Sequence, residues 1–202
     1  TLKKHLWSKI VIEKIRNQAK VLELASLSGY DQIMSFAQKV KLNDKDNMEA
    51  VAAAQYFKYL FGSGFSRGQD TVTNARLNYG YAIIRGLVCR SLTVYGLEPA
   101  LGIHHHSQLN AFNLADDIME VFRPVVDLCV YQMQEKEQNF LTTEDKQILY
   151  HLISCDVLFD TQKHPLFYGV EKTVQTFQSS IVAGEDQLKL CAILPLRQHE
   201  YE

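Results

Sequence analysis

The sequence is poor in residues that break or cross-link a chain: of 202 residues, four are Pro, ten Gly and four Cys. So little Pro and Gly excludes collagen-like and low-complexity chains. The cysteines (Cys89, Cys129, Cys155, Cys191) lie far apart with no CxxC pair. That argues against a zinc site or a disulfide framework and for buried free thiols in a reducing compartment. No apolar run approaches the roughly 18 residues of a membrane span, so no membrane partner is expected. The opening TLKKHLWSKIVIEKI is cationic but lacks the uninterrupted apolar stretch of a secretory signal, which predicts a cytoplasmic protein. Net charge is only −2, so bulk charge does not advertise nucleic acid. What is present, 47% hydrophobic and 22% charged residues, is ordinary for a globular chain of one domain, or at most two.

Charge is unevenly spread. Residues 1–41 carry eight Lys and Arg, among them Lys9, Lys14 and Lys20, against three acids. Residues 108–160 hold mostly acids. The pattern suits a basic binding face plus a cation-binding region, or simply two solvated helix faces.

Apolar periodicity predicts a mainly α fold. An amphipathic helix covers 3–25, with Leu6, Ile10, Ile15, Ala19 and Leu22 on one stripe. Gly29 breaks it, and helical texture resumes over 30–40. Asp46 or Asn47 is placed to cap MEAVAAAQYFKYLF, and Asp70 or Thr71 to cap a long helix closed by Gly96. Residues 97–108 form a loop. A helix from about Asn110 to Gln138 must kink or restart at Pro124. Thr142 or Thr143 with Glu144 opens another through Ser154, and His164-Pro165 starts the last, ending near Gly184. LKLCAIL, within 187–196, reads as one short C-terminal strand stopped by Pro195. With no βα alternation, a Rossmann-type sheet is disfavoured.

Three features carry chemistry. Glu49 lies in the first turn of the Ala-rich helix, where an acid also simply complements the helix dipole. His104-His105-His106 interrupts the loop, and imidazole both binds metals and carries protons. On the helix that follows, Asp117 and Glu120 are i and i+3, and Asp116 and Glu120 are i and i+4, close enough to share a cation. One nitrogen with several hard oxygens suits Mg²⁺ or Mn²⁺ and phosphoryl transfer. Spacing alone does not show that they meet in space.

Four segments then agree with one family. LWSKIVIEKIRNQAKVL, NMEAVAAAQYFKYLF, FSRGQDTVTNARLNYGYAIIRG and GLEPALGIHHHSQLNAFNLADDIMEVFRP resemble, in order and spacing, the helical catalytic domain of the CRISPR adaptation integrases, the Cas-one family. The details look nearest to its type II branch. The resemblance runs from about residue 5 to residue 135. By it, the family's N-terminal β-rich domain, which contributes to its dimer, is expected to be absent and residues 1–202 to be the helical metal-dependent catalytic domain.

The resemblance implies metal ligands at Glu49, His105 and Glu120, with Asp117 or His104 as support or alternative ligand. Ala50 stands where many members have Gly. Arg67 is a candidate phosphate contact; Asn74 and Asn78 are candidates for positioning Glu49 or DNA, or for structural hydrogen bonds. The implied activity is Mg²⁺- or Mn²⁺-dependent transesterification. The 3′-hydroxyl of a short duplex attacks a phosphodiester at the leader–repeat boundary of a CRISPR array. The implied partners are double-stranded DNA, a second copy of the chain and the small bridging Cas-two protein, with type II systems adding a DNA-end-binding ring and the effector nuclease. Competing readings of the same site are a metal-dependent nuclease for branched or duplex DNA and a non-catalytic DNA-binding scaffold.

Overall fold

The computed structural model describes residues 1–133 and 139–200. Two 23-residue helices organise it. The first, α1 (Leu2–Leu24), packs against α2 (Tyr30–Ala37), α3 (Met48–Phe61), α5 (Asn113–Met119) and α6 (Arg123–Gln132). The second, α4 (Val72–Val94), packs against α5, α6, α7 (Thr143–His151) and α8 (Leu166–Ala183). Leu6, Trp7, Ile10, Ile15 and Leu22 of α1 are wholly buried, as the amphipathic stripe requires. Among the described residues no helix is long and apolar enough to cross a membrane.

The expected mainly α architecture holds, but the described residues contain three strands, not one. An antiparallel sheet has the order β2 (Gln162–Pro165), β1 (Cys155–Phe159), β3 (Cys191–Gln198). The sequence reading missed β1 and β2 because both are shorter than a clear alternating run. It also stopped the last strand at Pro195, whereas β3 continues to Gln198. The reason is the register. Cys155 faces Gln198 while Val157 faces Ile193, so a bulge takes up the extra residues of β3. Pro195 falls inside it, on an edge strand, where its missing N–H costs no ladder bond. Buried Asn17 ties this sheet to α1: its side-chain amide donates to the Val121 and Cys191 carbonyls (both 3.0 Å) and accepts from the Ile193 N–H.

Helix boundaries follow local chemistry. The α3 cap is neither Asp46 nor the side chain of Asn47. The Asp44 carboxylate accepts the Met48 and Glu49 N–H groups (2.8 and 2.9 Å) from a 3-10 turn just upstream. Thr71 caps α4 through the Asn74 N–H, and Thr142 forms a capping box with Asp145 rather than Glu144. The expected 110–138 helix starts at Asn113 and divides: α5 ends at Met119, a 3-10 turn covers Glu120–Phe122, and α6 restarts with Pro124 in its first turn. Its expected end at Gln138 lies outside the described residues. The cysteines are free; burial pushes the Cys129 and Cys191 thiols up to about 12.

Candidate active site

The division at Pro124 shapes the site. Glu120 sits in the 3-10 turn between α5 and α6 with helical backbone angles, and its carboxylate reaches Lys14 of α1. Glu49, in the first turn of α3, meets it there. Both carboxylates accept from one ammonium: Lys14 Nζ donates to Glu49 Oε1 and to Glu120 Oε2. The second oxygen of Glu120 accepts from Arg123 Nε at 2.7 Å. Burial alone would raise the Glu120 carboxyl, but the Lys14 and Arg123 charges outweigh it and hold it at about 2. Burial would lower the Lys14 amine; the Glu120 and Glu49 carboxylates reverse that and raise it. The cluster opens on a cavity of about 240 Å³ that Arg67, Tyr81 and Asp127 also line.

A second layer is built on Asp117, which is fully buried. Its carboxylate accepts the N–H groups of Ile103, His104 and His105 (2.7, 3.0 and 3.2 Å), and its Oδ1 lies 2.6 Å from His105 Nδ1. The His loop is thus wrapped around one acid. Gly102 makes that wrap possible, since a Cβ there would fall 2.2 Å from the His105 carbonyl oxygen and 2.9 Å from Asp117 Oδ2. The hydrogen bond to Asp117 raises the His105 imidazole above its ordinary value against burial, with help from the Glu120 charge. His104 stacks on Trp7 with centroids 4.1 Å apart; burial, then the neighbouring His105, lowers it.

The cationic wall comes from the Gly/Ser loop and α4. Arg67 donates to Asn74 Oδ1 and to Asn78 Oδ1, the latter at 2.7 Å. Asn74 in turn holds the loop, donating to the Ser66 and Gln69 carbonyls at 2.8 Å. The two asparagines therefore orient Arg67 and are not bonded to Glu49. Arg67 and Arg123 share the Tyr81 ring, at 5.4 and 4.5 Å from its centroid. A second cavity of about 190 Å³ continues along this wall between Arg67, Arg85 and Asp116. At the first cavity, the buried Asp127 accepts from Tyr81 and, at 3.1 Å, from Tyr56.

The sequence-derived candidates separate into three groups. Glu49 and Glu120 meet through the Lys14 ammonium. His105 and Asp117 pair with each other in the adjoining layer, and Arg67, Asn74 and Asn78 form one unit across the cavity. The expectation that Asp116, Asp117 and Glu120 share a cation is corrected. Asp117 faces the His loop, Glu120 faces Lys14, and Asp116 accepts from Asn110 Nδ2 at 2.7 Å. Among the described residues no three His, Cys, Asp or Glu side chains converge as a finished metal cage. The donor chemistry nonetheless fits a hard divalent cation. Two carboxylates already share one ammonium, and His105 keeps Nε2 free by committing Nδ1 to Asp117.

The sequence reading missed Lys14, Arg123 and Asp127 as site residues. For Lys14 a signal existed. It stands four residues after Ile10 on the apolar stripe, and a lysine there demands an anionic partner. The supposed basic face of residues 1–41 is likewise divided: Lys14 turns inward, while Lys9 binds Asp186 and Lys20 binds Glu23.

The chain is similar to known proteins in sequence and in fold. A Neisseria meningitidis serogroup C protein named CRISPR-associated endonuclease Cas1 is 42% identical over 208 residues, covering 100% of this chain and 67% of its own length. A solved casposase bound to integration product matches with TM-score 0.74 and 18% identity, over 92% of this chain and 62% of that one. A partial Cas6-RT-Cas1–Cas2 complex matches with TM-score 0.75 and 19% identity, over 96% of this chain and 69% of that one. At such identities the two structures speak for the fold alone. The chain thus spans about two thirds of the length of its relatives. The family model described as CRISPR associated protein Cas1 matches residues 3–151, nearly three quarters of the sequence and every residue of the site; with the 42% identical relative, this makes the chain a member of the Cas1 family.

Proposed function

We propose that residues 1–202 form the catalytic domain of a CRISPR adaptation integrase that joins the 3′-hydroxyl of spacer DNA to the leader–repeat boundary. The observation that carries this reading is the convergence of Glu49 and Glu120 beside an arginine-lined cavity. Glu49, Glu120 and His105 would hold Mg²⁺ or Mn²⁺. When bound, that ion supplies charge stabilisation at the phosphate and activation of the attacking hydroxyl.

The chain's own residues do the rest. Arg67, held by Asn74 and Asn78, and Arg123, held by Glu120, present guanidinium groups to the cavity and would grip the non-bridging oxygens of the target phosphate. As the spacer 3′-oxygen bonds to phosphorus, the target P–O3′ bond breaks. The fixed positive charges oppose the negative charge that develops. As the alternative to ligating the ion, His105, oriented by Asp117 and held more basic than usual, would deliver the Nε2 proton to the departing 3′-oxygen. Arg85 extends the wall along the second cavity, where the neighbouring nucleotide would lie. Binding through phosphates should weaken steeply with salt.

The same reading supplies partners. The solved relatives include a casposase with its integration product and a Cas1–Cas2 complex. By analogy this chain acts as a homodimer bridged by Cas2 on double-stranded DNA. In a type II system, the effector nuclease and a DNA-end-binding ring join it.

The test uses the full natural polypeptide carrying this chain together with Cas2. It is given a fluorescent duplex with free 3′-hydroxyls, a supercoiled leader–repeat plasmid and Mg²⁺ or Mn²⁺. Label should enter the plasmid, and His105→Ala should abolish this while DNA binding persists. Nicking without label transfer would make the protein an endonuclease instead. Binding with neither product would make it a scaffold.

A further inference from the structure

Lys14 has no part in the integration chemistry described above, yet it occupies the centre of the site. Its residue is 5% exposed, on the face of α1 that also buries Ile10, Val11 and Ile15. Its ammonium takes one oxygen from Glu49 and one from Glu120, the two carboxylates assigned to the cation. The other Glu120 oxygen belongs to Arg123. Two carboxylates therefore face two cations, and the cluster is neutral as it stands.

We propose that Lys14 is the resident counter-cation of the acidic pair, and that its ammonium and a divalent ion compete for Glu49 and Glu120. This rests on the reading of those two residues as cation ligands. A dication added beside an ammonium on the same two carboxylates would leave a surplus of two positive charges in a mostly buried place, where screening is weak. One of the two cations must withdraw. α1 cannot move, because its buried stripe and Asn17 fix its backbone to the 3-10 turn and β3. The lysine side chain can: it has a flexible four-carbon stem and borders the cavity of about 240 Å³.

Two consequences follow. Without a divalent ion, Lys14 keeps the like-charged carboxylates from repelling one another, so the site stays formed. With the ion present, Lys14 costs affinity, because its own bonds must be given up first.

The experiment titrates Mn²⁺ into the full polypeptide without DNA and follows free Mn²⁺ by electron paramagnetic resonance. Lys14→Met should tighten Mn²⁺ binding by about tenfold or more. It should also lower the melting temperature in EDTA, with recovery on adding Mn²⁺. Should Lys14→Met fail to fold, the wild-type protein gives a second readout. Acetylation of Lys14, read by mass spectrometry, should be slow in EDTA and faster with saturating Mn²⁺. Equal or weaker Mn²⁺ binding by Lys14→Met, or Lys14 acetylation that ignores Mn²⁺, overturns the competition. If wild type shows no Mn²⁺ binding that Glu49→Gln removes, both the competition and the metal-dependent function fall. Binding that Glu49→Gln removes but Lys14 does not affect sinks the competition alone.

Discussion

Two clusters of buried charge border α4, and they are built to opposite ends. In one, Arg76 and Asp145 have side chains only 1% exposed and bind each other at 3.1 and 3.3 Å. Asp145 also accepts the Thr142 N–H as half of the α7 capping box, while Arg76 reaches the Met133 carbonyl. These contacts cap α7 and tie α4 both to it and to the end of α6. In the other, Lys14, Glu49, Glu120 and Arg123 bring two like charges together and leave them facing a cavity. Folding gains little from crowding two carboxylates, which repel unless a cation offsets them. The closed cluster ties the fold together; the open one leaves its two carboxylates, offset by Lys14 and Arg123, bordering a cavity.

Breaking each cluster should give opposite signatures. Asp145→Ala leaves a buried guanidinium without its carboxylate and removes the α7 cap. It should cost about 3–5 kcal/mol of unfolding free energy in urea titrations. Glu49→Gln removes a carboxylate whose side chain is 26% exposed and leaves Lys14 bound to Glu120. It should cost under about 1 kcal/mol of stability, yet reduce strand transfer by about 100-fold or more. Equal stability losses in the two variants would make the open cluster a second structural ion pair.

Gly102→Ala sharpens the comparison at the second layer. The added methyl would collide with the His105 carbonyl and the Asp117 carboxylate at 2.2 and 2.9 Å, so the His loop must shift. Overpacking of this kind costs about 1–3 kcal/mol. Because the displaced group is His105, strand transfer should fall by about tenfold or more even at temperatures where the variant is fully folded. Unchanged transfer in the folded variant would remove His105 from the reacting set.

Much of this was legible in the sequence for physical reasons. Long apolar stripes declare α1 and α4, and Pro124 marks the restart in the first turn of α6. Glu49, His105, Glu120 and Arg67 could be named because their segments resemble a family; spacing alone suggested the wrong sharing among Asp116, Asp117 and Glu120. That error is instructive. A shared helix face brings carboxylates near one another but does not choose their partners: the His loop takes Asp117, Lys14 takes Glu120 and Asn110 takes Asp116. β1 and β2 escaped notice because four or five residues carry too little periodicity. Lys14 was legible from its place on the apolar stripe of α1 but its partners were not, and Arg123 carried no local signal, because Glu49 and Glu120 come from α3 and the 3-10 turn.

The smallest of the expected effects separates the clusters by pH. Burial pushes the Asp127 carboxyl, beneath the open cluster, up to about 6, against the Tyr81 and Tyr56 hydroxyls and the Arg123 and Lys14 charges. The folded protein therefore keeps that proton where the unfolded chain, titrating near its ordinary value, has lost it. The stability it contributes is complete below about pH 4 and lost as pH rises through about 6. Asp145 runs the other way. Burial would raise it, but the Thr142 N–H and Arg76 lower it, so its contribution is present above its ordinary value and lost as pH falls below it. Asp127→Asn removes the first titration, and its amide can still serve both tyrosines, since a phenol oxygen also accepts. In urea titrations between pH 4 and 7, the wild type should lose about 1–3 kcal/mol relative to Asp127→Asn as pH rises. Parallel curves would mean that Asp127 is ionised throughout the window, making the open cluster as electrostatically settled as the closed one.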